Sequence, residues 1–244
     1  GTCQDKVINL AAQAGVRYSL INPYAYASSN LMGFINVIEL SRIHKVDGFI
    51  YASSSSVYGN NKTYPFSEKD RVDKPISLYG ATKRSNELIA HSYSQLYNIN
   101  TTGLRFFTVY GPWYRPDMAM HIFASNISKN KSIDVFNNGD MKRDFTYIDD
   151  IVNGTVSAIE RNYPCEIFNL GNNKSENLMD VISILEKCFG KKATINFKPI
   201  QPGDVKETYA NIDLSKIKLK FSPSTNIESG IMQFSKWFKE YYNV

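Results

Sequence analysis

The stretch Phe49-Ile50-Tyr51-Ala52 is a short apolar run that ends in four consecutive serines at positions 53–56. An apolar run of this length, bounded by polar residues, is typical of a buried strand. In an open parallel sheet, ligands bind at the carboxyl ends of the strands. Because the serines follow the strand directly, we expect them to lie at the ligand-binding edge of such a sheet.

The segments on either side alternate between strand and helix patterns. Residues 6–12 predict another buried strand, and a helix follows it with Asn30 near its start. Beyond the serines come a helix over about 77–97 and a strand over 101–107. Strands that alternate with helices in this way predict an α/β fold built on a doubly wound parallel sheet.

Tyr79 and Lys83 lie four residues apart in the helix predicted over 77–97, which Ser77 would cap. Residues at this spacing share one helix face, so the lysine ammonium can lie beside the phenol. A neighbouring cation favours the phenolate and lowers the tyrosine pKa from its usual value of about 10. With a serine at the strand end, these side chains form a set that can take a proton from a hydroxyl while a hydride leaves the same carbon.

A second Tyr-x-x-x-Lys pair, Tyr58 and Lys62, shows that the spacing alone is weak evidence. A glycine and two asparagines follow Tyr58 and favour a turn, so Lys62 need not lie on the same face. For the pair in the predicted helix, the plain alternative is a surface tyrosine and a solvated lysine.

The composition is that of a globular protein with an ample core: the chain has 244 residues, of which 43% are hydrophobic and 21% charged. Its apolar runs are short and interrupted, whereas a membrane helix needs about 20 apolar residues, so we expect no membrane span. The three cysteines, Cys3, Cys165 and Cys188, are far apart and lack Cys-x-x-Cys spacing. This pattern argues against a disulfide framework or a zinc site and makes the cytoplasm the expected compartment.

The net charge of +5 does not indicate nucleic-acid binding, because the basic residues are scattered among acidic ones. The densest basic patch, residues 216–220, alternates lysine with apolar residues and predicts a strand with one solvent-exposed face. The excess positive charge also suits an anionic small substrate. The histidines, His44, His91 and His121, lack metal-ligand spacing, so we expect no metal site.

The sequence changes character after Gly111-Pro112, where prolines, glycines and asparagines divide it into short pieces. We expect residues 111–244 to form mainly a smaller unit that covers the sheet. Residues 144–160 have apolar side chains at helical spacing, and we expect this segment to return to the first unit.

These motifs together resemble the extended short-chain dehydrogenase/reductases that act on nucleotide sugars, and among them most of all the UDP-glucuronate 4-epimerases. The resemblance spans nearly the whole chain in the family's order, which makes it more specific than any single motif. The matching stretches are 9–19, 51–59, 79–83, 104–112, 115–119, 143–150 and 201–204.

The resemblance implies a Rossmann-like sheet that is incomplete at its N-terminal end. The family opens with a glycine fingerprint, where small residues let the backbone approach the pyrophosphate of NAD. No glycines here have that spacing, so we expect a fragment of an ordinary epimerase, or a chain whose missing half comes from a partner. Residues 1–110 would then be a partial NAD-binding domain, to which 144–160 return. Residues 111–244 would mainly bind the nucleotide sugar.

The implied activity is NAD-dependent epimerisation at C4 of a UDP-sugar, with UDP-glucuronate converted to UDP-galacturonate through a 4-keto intermediate. Tyr79 is the implied base, Lys83 keeps it ionised and binds the nicotinamide ribose, and Ser54 holds the C4 oxygen. Ser55 or Ser56 could share that role, and strand-end capping is the plain alternative for all three serines. Relatives that eliminate water carry an acidic pair at positions 55 and 56, so serines there favour epimerisation.

The remaining implied contacts divide between cofactor and substrate. Arg115 is the candidate for the sugar carboxylate, since a guanidinium can grip it through two hydrogen bonds, and a surface ion pair is its alternative. Arg143 resembles the diphosphate-binding arginine, with a salt bridge as its alternative. Asp204 resembles a residue near the uridine ribose, with a helix cap as its alternative. The other implied cofactor contacts are Leu10, Ala11, Ala12, Asn30 and Phe107, and the other substrate contacts are Thr108, Val135, Phe136 and Gln201.

Two other functions fit the same residues. A 4-keto-sugar reductase would use the same tyrosine and lysine but would release oxidised cofactor in each cycle. A binding module that lost its cofactor half would sense a nucleotide sugar, although it would have no chemical need for the Ser/Tyr/Lys set. As in the family, we expect a homodimer that pairs the helices around 30–44 and 78–97.

Overall fold

Strands and helices alternate along most of the chain, of which the computed structural model describes residues 5–244. The strands are β1 (Val7–Asn9), β2 (Phe49–Ser54), β3 (Thr101–Phe106), β4 (Thr108–Tyr110), β5 (Ile133–Phe136), β6 (Lys142–Arg143), β7 (Phe145–Tyr147), β8 (Cys165–Leu170), β9 (Glu176–Asn177), β10 (Ile195–Lys198) and β11 (Glu207–Thr208). The α-helices are α1 (Val16–Ile21), α2 (Pro23–Tyr26), α3 (Gly33–Ile43), α4 (Leu78–Tyr97), α5 (Ala119–Ser128), α6 (Ile148–Arg161), α7 (Leu178–Phe189), α8 (Asp213–Leu219) and α9 (Ile227–Tyr242). A π-helical segment, Ala27–Met32, joins α2 to α3, and 3-10 turns cover Ser55–Tyr58 and Asn137–Gly139.

Four parallel strands in the order β1-β2-β3-β8 form the central sheet. Successive side chains of a strand point to opposite faces. Phe49 of β2 belongs to the same apolar cluster as Phe34 of α3 and Ala90 of α4. The next residue, Ile50, belongs to the cluster that contains Ile151 of α6. Helices therefore cover both faces of a parallel sheet, which confirms the predicted doubly wound α/β fold.

A second apolar core lies among α5, α7 and α9 and the short strands β5 and β7. Strand β10 pairs with β5, β4 pairs with β7, and β11, β6 and β9 form a third small sheet. Three elements beyond residue 110 belong to the central sheet and its core. Strand β8 pairs with β3, and α6 and Leu219 of α8 pack in the apolar cluster on one face of the sheet. More of the chain beyond residue 110 thus packs with the first unit than the sequence indicated. The division into two domains stays a prediction.

Two predictions near the N-terminus differ from the structure in extent. Strand β1 ends at Asn9, so the strand predicted over 6–12 is shorter than expected. Asn30 lies inside the π-helical segment rather than near the start of a helix. The helical chain begins earlier because Pro23 occupies the first position of α2, where its fixed φ favours helix initiation.

The strand predicted over 216–220 is wrong, because these residues form the end of α8. Ser215 and Leu219 are the buried residues of this helix, one turn apart, and Lys216 and Lys218 occupy its last turn. Lys220 then ends the helix in the left-handed conformation, with φ of 54°. Alternation of lysine and apolar residues over only five positions fits both the period of a strand and that of a helix. Packing against the central core favours the helix. Across residues 5–244, every helix is too short or too polar to cross a membrane.

Candidate active site

The carboxyl end of β2 meets the start of α4. As the chain turns at the strand end, the Ser54 hydroxyl accepts a hydrogen bond of 3.1 Å from the Ser56 amide. The Ser77 hydroxyl accepts a hydrogen bond of 3.0 Å from the Gly80 amide, which confirms the predicted helix cap. A Cβ atom on Gly80 would lie 2.6 Å from the Ser56 carbonyl oxygen. The glycine therefore allows the helix to approach the serine turn closely.

Tyr79 lies in the first turn of α4, and its phenol is close enough to the Ser54 hydroxyl for that group to lower its pKa. The residue is half-buried, and the Tyr26 ring meets its ring edge-on with 6.2 Å between centroids. Burial raises the pKa of the Tyr79 phenol, whereas the nearby Ser54 hydroxyl and the charge of Arg115 lower it. The effect of burial is the largest, so the phenol carries its proton at neutral pH.

Lys83 lies one turn further along α4 and is only 4% exposed. Its Nζ donates a hydrogen bond of 2.8 Å to the Ala52 carbonyl oxygen of β2, and burial lowers its pKa to about 8. The sequence predicted that Lys83 would lower the pKa of Tyr79. In the structure the lowering influences come from Ser54 and Arg115, and burial outweighs both. The pKa of Tyr79 therefore shifts in the direction opposite to the prediction.

The four serines at the end of β2 serve different purposes. Ser53 is buried and donates a hydrogen bond of 2.6 Å to Glu87 Oε1. Ser54 lies near the Tyr79 phenol and lowers its pKa, and Ser55 and Ser56 line a cavity that opens at the strand ends. The sequence left open which serine contacts a substrate. Its proximity to the phenol favours Ser54 for the reacting oxygen, and Ser55 and Ser56 line the cavity where a ligand would lie.

The cavity beside the serines contains three of the side chains that the sequence assigned to the substrate, namely Thr108, Arg143 and Asp204. They come from different parts of the chain: β4, β6 and the loop before β11. The residues that line the cavity are Val16, Ser55, Ser56, Gly59, Phe66, Ile76, Ser77, Thr108, Arg143, Gly203, Asp204, Val205 and Thr208. The lining is thus mostly polar, with one guanidinium and one carboxyl group.

The Arg143 guanidinium is held by backbone oxygens. Nη1 donates hydrogen bonds of 2.8 Å to Lys142 O and 3.1 Å to Lys206 O. Burial lowers its pKa, and the nearby charge of Arg17 acts in the same direction. In the described part of the chain, the salt-bridge alternative is not observed, because Asp204 forms its ion pair with Arg17. A guanidinium without a carboxylate partner suits the binding of an anion.

Asp204 does not cap a helix but lies 3.5 Å from Arg17 Nη2. Arg17 also lies over the Phe136 ring, with its Cζ 4.9 Å from the ring centroid. Phe136 is half-buried, whereas Val135 is fully buried in the second core. The Val135 side chain therefore cannot touch a ligand, and only its backbone can. Gln201 Oε1 is buried and has no hydrogen-bond partner within residues 5–244.

Arg115 is exposed and forms a two-point ion pair with Asp117. Nε lies 3.1 Å from Oδ1, and Nη2 lies 2.6 Å from Oδ2. This is the surface ion pair that the sequence offered as the alternative. The guanidinium also lies 3.5 Å from the Ala14 carbonyl oxygen. Its charge nevertheless lowers the pKa of Tyr79, so it lies within electrostatic range of the phenol.

Among the residues predicted to contact the cofactor, Leu10 and Ala11 are exposed immediately beyond the end of β1. Ala12 follows them and is half-buried. Phe107, in contrast, is 6% exposed and belongs to the central core. Leu10, Ala11 and Ala12 offer an apolar surface at the carboxyl edge of the sheet. The Phe107 ring packs in the core behind that edge and supports it.

Asn30 is 2% exposed, and its side chain is already engaged. Its Oδ1 accepts a hydrogen bond of 2.8 Å from Gln13 N, and its Nδ2 donates bonds of 3.0 Å to Gln13 O and Thr82 Oγ1. Asn30 thereby ties the segment after β1 to helix α4. This geometry supports a role in positioning the edge of the site.

The profile of the NAD dependent epimerase/dehydratase family matches residues 2–171. The chain belongs to that family. It is 55% identical over 236 residues to an uncharacterised protein of Methanocaldococcus jannaschii, with 97% of this chain and 72% of that protein covered. It is 50% identical to protein CapI of Staphylococcus aureus, with 97% and 76% covered. It is 46% identical to UDP-glucuronate 4-epimerase 4 of Arabidopsis thaliana, with 97% of this chain and 58% of that protein covered.

The solved structures of other epimerases support the same relationship. The UDP-glucuronic acid 4-epimerase of Bacillus cereus, in complex with UDP-glucuronic acid and NAD, has a TM-score of 0.93 at 39% identity. The match covers 98% of this chain and 76% of that chain. The UDP-glucose 4-epimerase of Thermotoga maritima with UDP-glucose has a TM-score of 0.93 at 29% identity, over 98% and 78% of the two chains. The resemblance inferred from the motifs is confirmed.

NAD is the cofactor of this epimerase/dehydratase family, and the residues described here fit its nicotinamide half. The Lys83 ammonium is buried and donates one observed hydrogen bond, to Ala52 O, although an ammonium has three donors. Its remaining donors suit ribose hydroxyls. Leu10 and Ala11 present the apolar surface that a flat ring requires at the same sheet edge.

Sequence reasoning missed two residues of this epimerase-family site. Arg17 lies between Asp204 and Phe136, and the Tyr26 hydroxyl donates to the Gly15 carbonyl oxygen while its ring packs on Tyr79. Neither residue stands at a spacing that indicates chemistry. Arg17 falls within the stretch 9–19 that carries the resemblance, and that is the one signal the sequence held for it.

Proposed function

We propose that this chain inverts the configuration at C4 of a UDP-sugar with NAD as cofactor, and that the sugar is UDP-glucuronate. The observation that carries the proposal is that the Ser54 hydroxyl lies close enough to the Tyr79 phenol to lower its pKa, one helical turn before the buried Lys83. The guanidinium of Arg115 acts on the same phenol. Relatives named UDP-glucuronate 4-epimerases, at 39–46% identity, support the choice of sugar.

Tyr79 is the base that takes the proton of the C4 hydroxyl, and Ser54 holds the C4 oxygen through its hydroxyl. NAD, when bound, supplies the acceptor for the C4 hydride and returns it. Lys83 binds the nicotinamide ribose through the donors that Ala52 O leaves free. After the 4-keto sugar has turned its other face, Tyr79 returns the proton to the same oxygen. The cycle therefore has no net proton or electron change.

The sugar and diphosphate are held by groups around the cavity. Arg115 grips the sugar carboxylate in place of Asp117, its partner in this structure, and Thr108 contacts the sugar from the end of β4. Arg143 binds the diphosphate, because it is half-buried and has no carboxylate partner among the described residues. The uridine lies near Asp204 and Phe136. Gln201, whose buried carbonyl oxygen has no partner within residues 5–244, is a further candidate for this end of the ligand.

Elimination of water from the sugar is a poor fit to these residues. It requires a base for C5 and an acid for the leaving hydroxyl. Ser55 and Ser56 occupy the positions where such groups would lie. Within residues 5–244, the carboxyl group in the cavity lining is that of Asp204, and it is paired with Arg17. Epimerisation requires no such pair.

The test is to incubate the protein with NAD+ and UDP-glucuronate, without NADH, and to follow the C4 configuration by proton NMR. We expect UDP-galacturonate to appear. Consumption of one NADH per turnover when a UDP-4-keto sugar is supplied as the substrate would identify a 4-keto-sugar reductase instead. Binding of UDP-glucuronate without any conversion would identify a binding module, and inversion of neutral UDP-sugars alone would refute the choice of a uronate.

We also propose that the chain forms a homodimer through the outer faces of α3 and α4. Four large apolar side chains on these helices are between 53% and 72% exposed: Leu40, Ile43, Leu88 and Leu96. Apolar clusters of this kind on a surface mark interaction sites. Sedimentation equilibrium should give the mass of two chains, and a single-chain mass at micromolar concentration would contradict the proposal.

We place the protein in the cytoplasm on the basis of its cysteines. Cys165 and Cys188 are free thiols within the described residues. Unpaired cysteines are typical of a reducing compartment. Quantification of thiols in the unfolded, freshly purified protein should find these cysteines reduced, and a disulfide would contradict this assignment.

A further inference from the structure

Trp113 is 72% exposed, yet its ring is not free. Its centroid lies 5.4 Å from that of Trp237 and 5.0 Å from that of Tyr241, both on helix α9. Trp237 and Tyr241 also stack on each other, at 5.4 Å with 21° between their planes. Contacts of this geometry contribute beyond the area that they bury. The indole therefore attaches the segment after β4 to the last helix.

The backbone at Trp113 is strained, because its φ is 63°. Ten non-glycine residues in the described part of the chain have positive φ, and nine of them are asparagine or lysine. A bulky aromatic residue in this region is uncommon and unfavourable. Such a conformation persists only when the surroundings enforce it. The contacts with α9 are the interactions available to hold it.

Tyr114 packs against the same helix from the next position. Its ring meets that of Phe234 at 6.2 Å and nearly at right angles. Phe234 is fully buried in the second core, so it is a fixed anchor. Residues 234, 237 and 241 lie three and seven positions apart and so share one face of α9. Two consecutive residues of the loop are thus fixed to one stripe of the helix.

Arg115 is the residue that follows. We infer that α9, acting through Trp113 and Tyr114, sets the position of the backbone that carries Arg115 and thereby the preference for a uronate over a neutral sugar. Trp113 and Tyr114 are positioning residues, and the inference depends on the proposed role of Arg115 in gripping the sugar carboxylate. We call the contacts of Trp113 and Tyr114 with Phe234, Trp237 and Tyr241 the aromatic latch.

The test compares Trp113→Gly with Trp113→Phe. Glycine accepts the positive φ without strain but removes the ring, whereas phenylalanine keeps a ring. In Trp113→Gly we expect the KM for UDP-glucuronate to rise about tenfold with kcat changed by less than about threefold, since a small misplacement of a binding group has large effects. The affinity for UDP-glucose should not change. Tyr241→Ala, which alters a residue 52% exposed, should reproduce part of the effect, and Trp113→Phe should restore most of the affinity.

Arg115→Met separates failure of the latch from failure of the proposed function. If Arg115→Met loses affinity for UDP-glucuronate and Trp113→Gly does not, the carboxylate grip stands and the latch is refuted. If Arg115→Met keeps full affinity, the grip is wrong, and the inference falls with it whatever Trp113→Gly does. Equal losses for UDP-glucose and UDP-glucuronate in Trp113→Gly would reveal a merely structural role and also refute the inference.

Tryptophan fluorescence gives an independent readout, because the chain has two tryptophans and both belong to the latch. Saturation with UDP-glucuronate should change the emission, and saturation with UDP-glucose should leave it unchanged. In Trp113→Phe, Trp237 alone should still report the uronate. Identical emission changes with both sugars, or none with either, would overturn the inference.

Discussion

Replacing Tyr79 with phenylalanine should reduce kcat for C4 inversion by about 10²–10⁴-fold, the usual contribution of a general base. The sugar should still bind, because the ring and its edge-on contact with Tyr26 remain. In the unchanged protein, burial raises the pKa of the phenol. A base must lose its proton before it acts, so kcat/KM should rise with pH over the range below that pKa. The variant should lack this rise, and steady-state kinetics between pH 6 and 9 would show both effects.

Tyr58→Phe is the matched control, because Tyr58 belongs to the second Tyr-x-x-x-Lys pair. Its hydroxyl donates to Asn169 Oδ1 at 2.7 Å and accepts from Arg105 Nη1 at 3.0 Å in the interior. Loss of this hydroxyl should cost about 1–3 kcal/mol of stability, since it leaves buried groups unsatisfied, and should change kcat only slightly. Unchanged turnover in Tyr79→Phe, or an equal loss in both variants, would remove Tyr79 from the mechanism.

Local signals explain why the helix that carries Tyr79 could be predicted. The Ser77 cap acts on an amide three residues away, and the spacing of Tyr79 and Lys83 depends only on the helical period. The position of Ser54 at the end of β2 follows from a short apolar run. Interactions over a few residues are encoded in the local sequence, so no knowledge of the tertiary fold was needed for them.

The electrostatics of the site could not be predicted in the same way. Whether burial or a neighbouring charge dominates the pKa of Tyr79 depends on how deeply the phenol is packed, and spacing does not contain that information. The ion pair between Arg17 and Asp204 joins residues that are far apart in the sequence. The alternating lysines at 216–220 formed a helix because packing overrode the local pattern. The sequence can propose such partners only through a resemblance.

Arg105→Met should destabilise the fold by about 3–5 kcal/mol, the cost of leaving a buried charge without its partner. Arg105 is 2% exposed and Glu87 is 1% exposed. The guanidinium donates from Nε to Oε1 at 2.8 Å and from Nη2 to Oε2 at 2.9 Å, and this two-point contact joins β3 to α4. In the variant, Glu87 retains the hydrogen bond from Ser53 and the ion pair with the half-exposed Arg84, but it loses its buried partner. Urea unfolding at pH 7 would measure the loss.

The double variant Arg105→Met/Glu87→Leu separates the pair's contribution from the cost of the stranded charge. Replacing both partners with apolar residues should recover most of the stability, because the penalty lies in the buried carboxylate that has lost its two-point partner. The pH dependence provides a second check. Arg105 holds the pKa of Glu87 below its usual value against the effect of burial, so its stabilisation is present at neutral pH and is lost as the pH falls through that lowered pKa. Without Arg105, burial raises the pKa of Glu87 and the carboxyl takes up a proton at a higher pH. The difference in stability between the unchanged protein and Arg105→Met should therefore shrink as the pH falls from 7 toward 4. A difference that does not change with pH would mean that lost packing, rather than the stranded charge, causes the destabilisation.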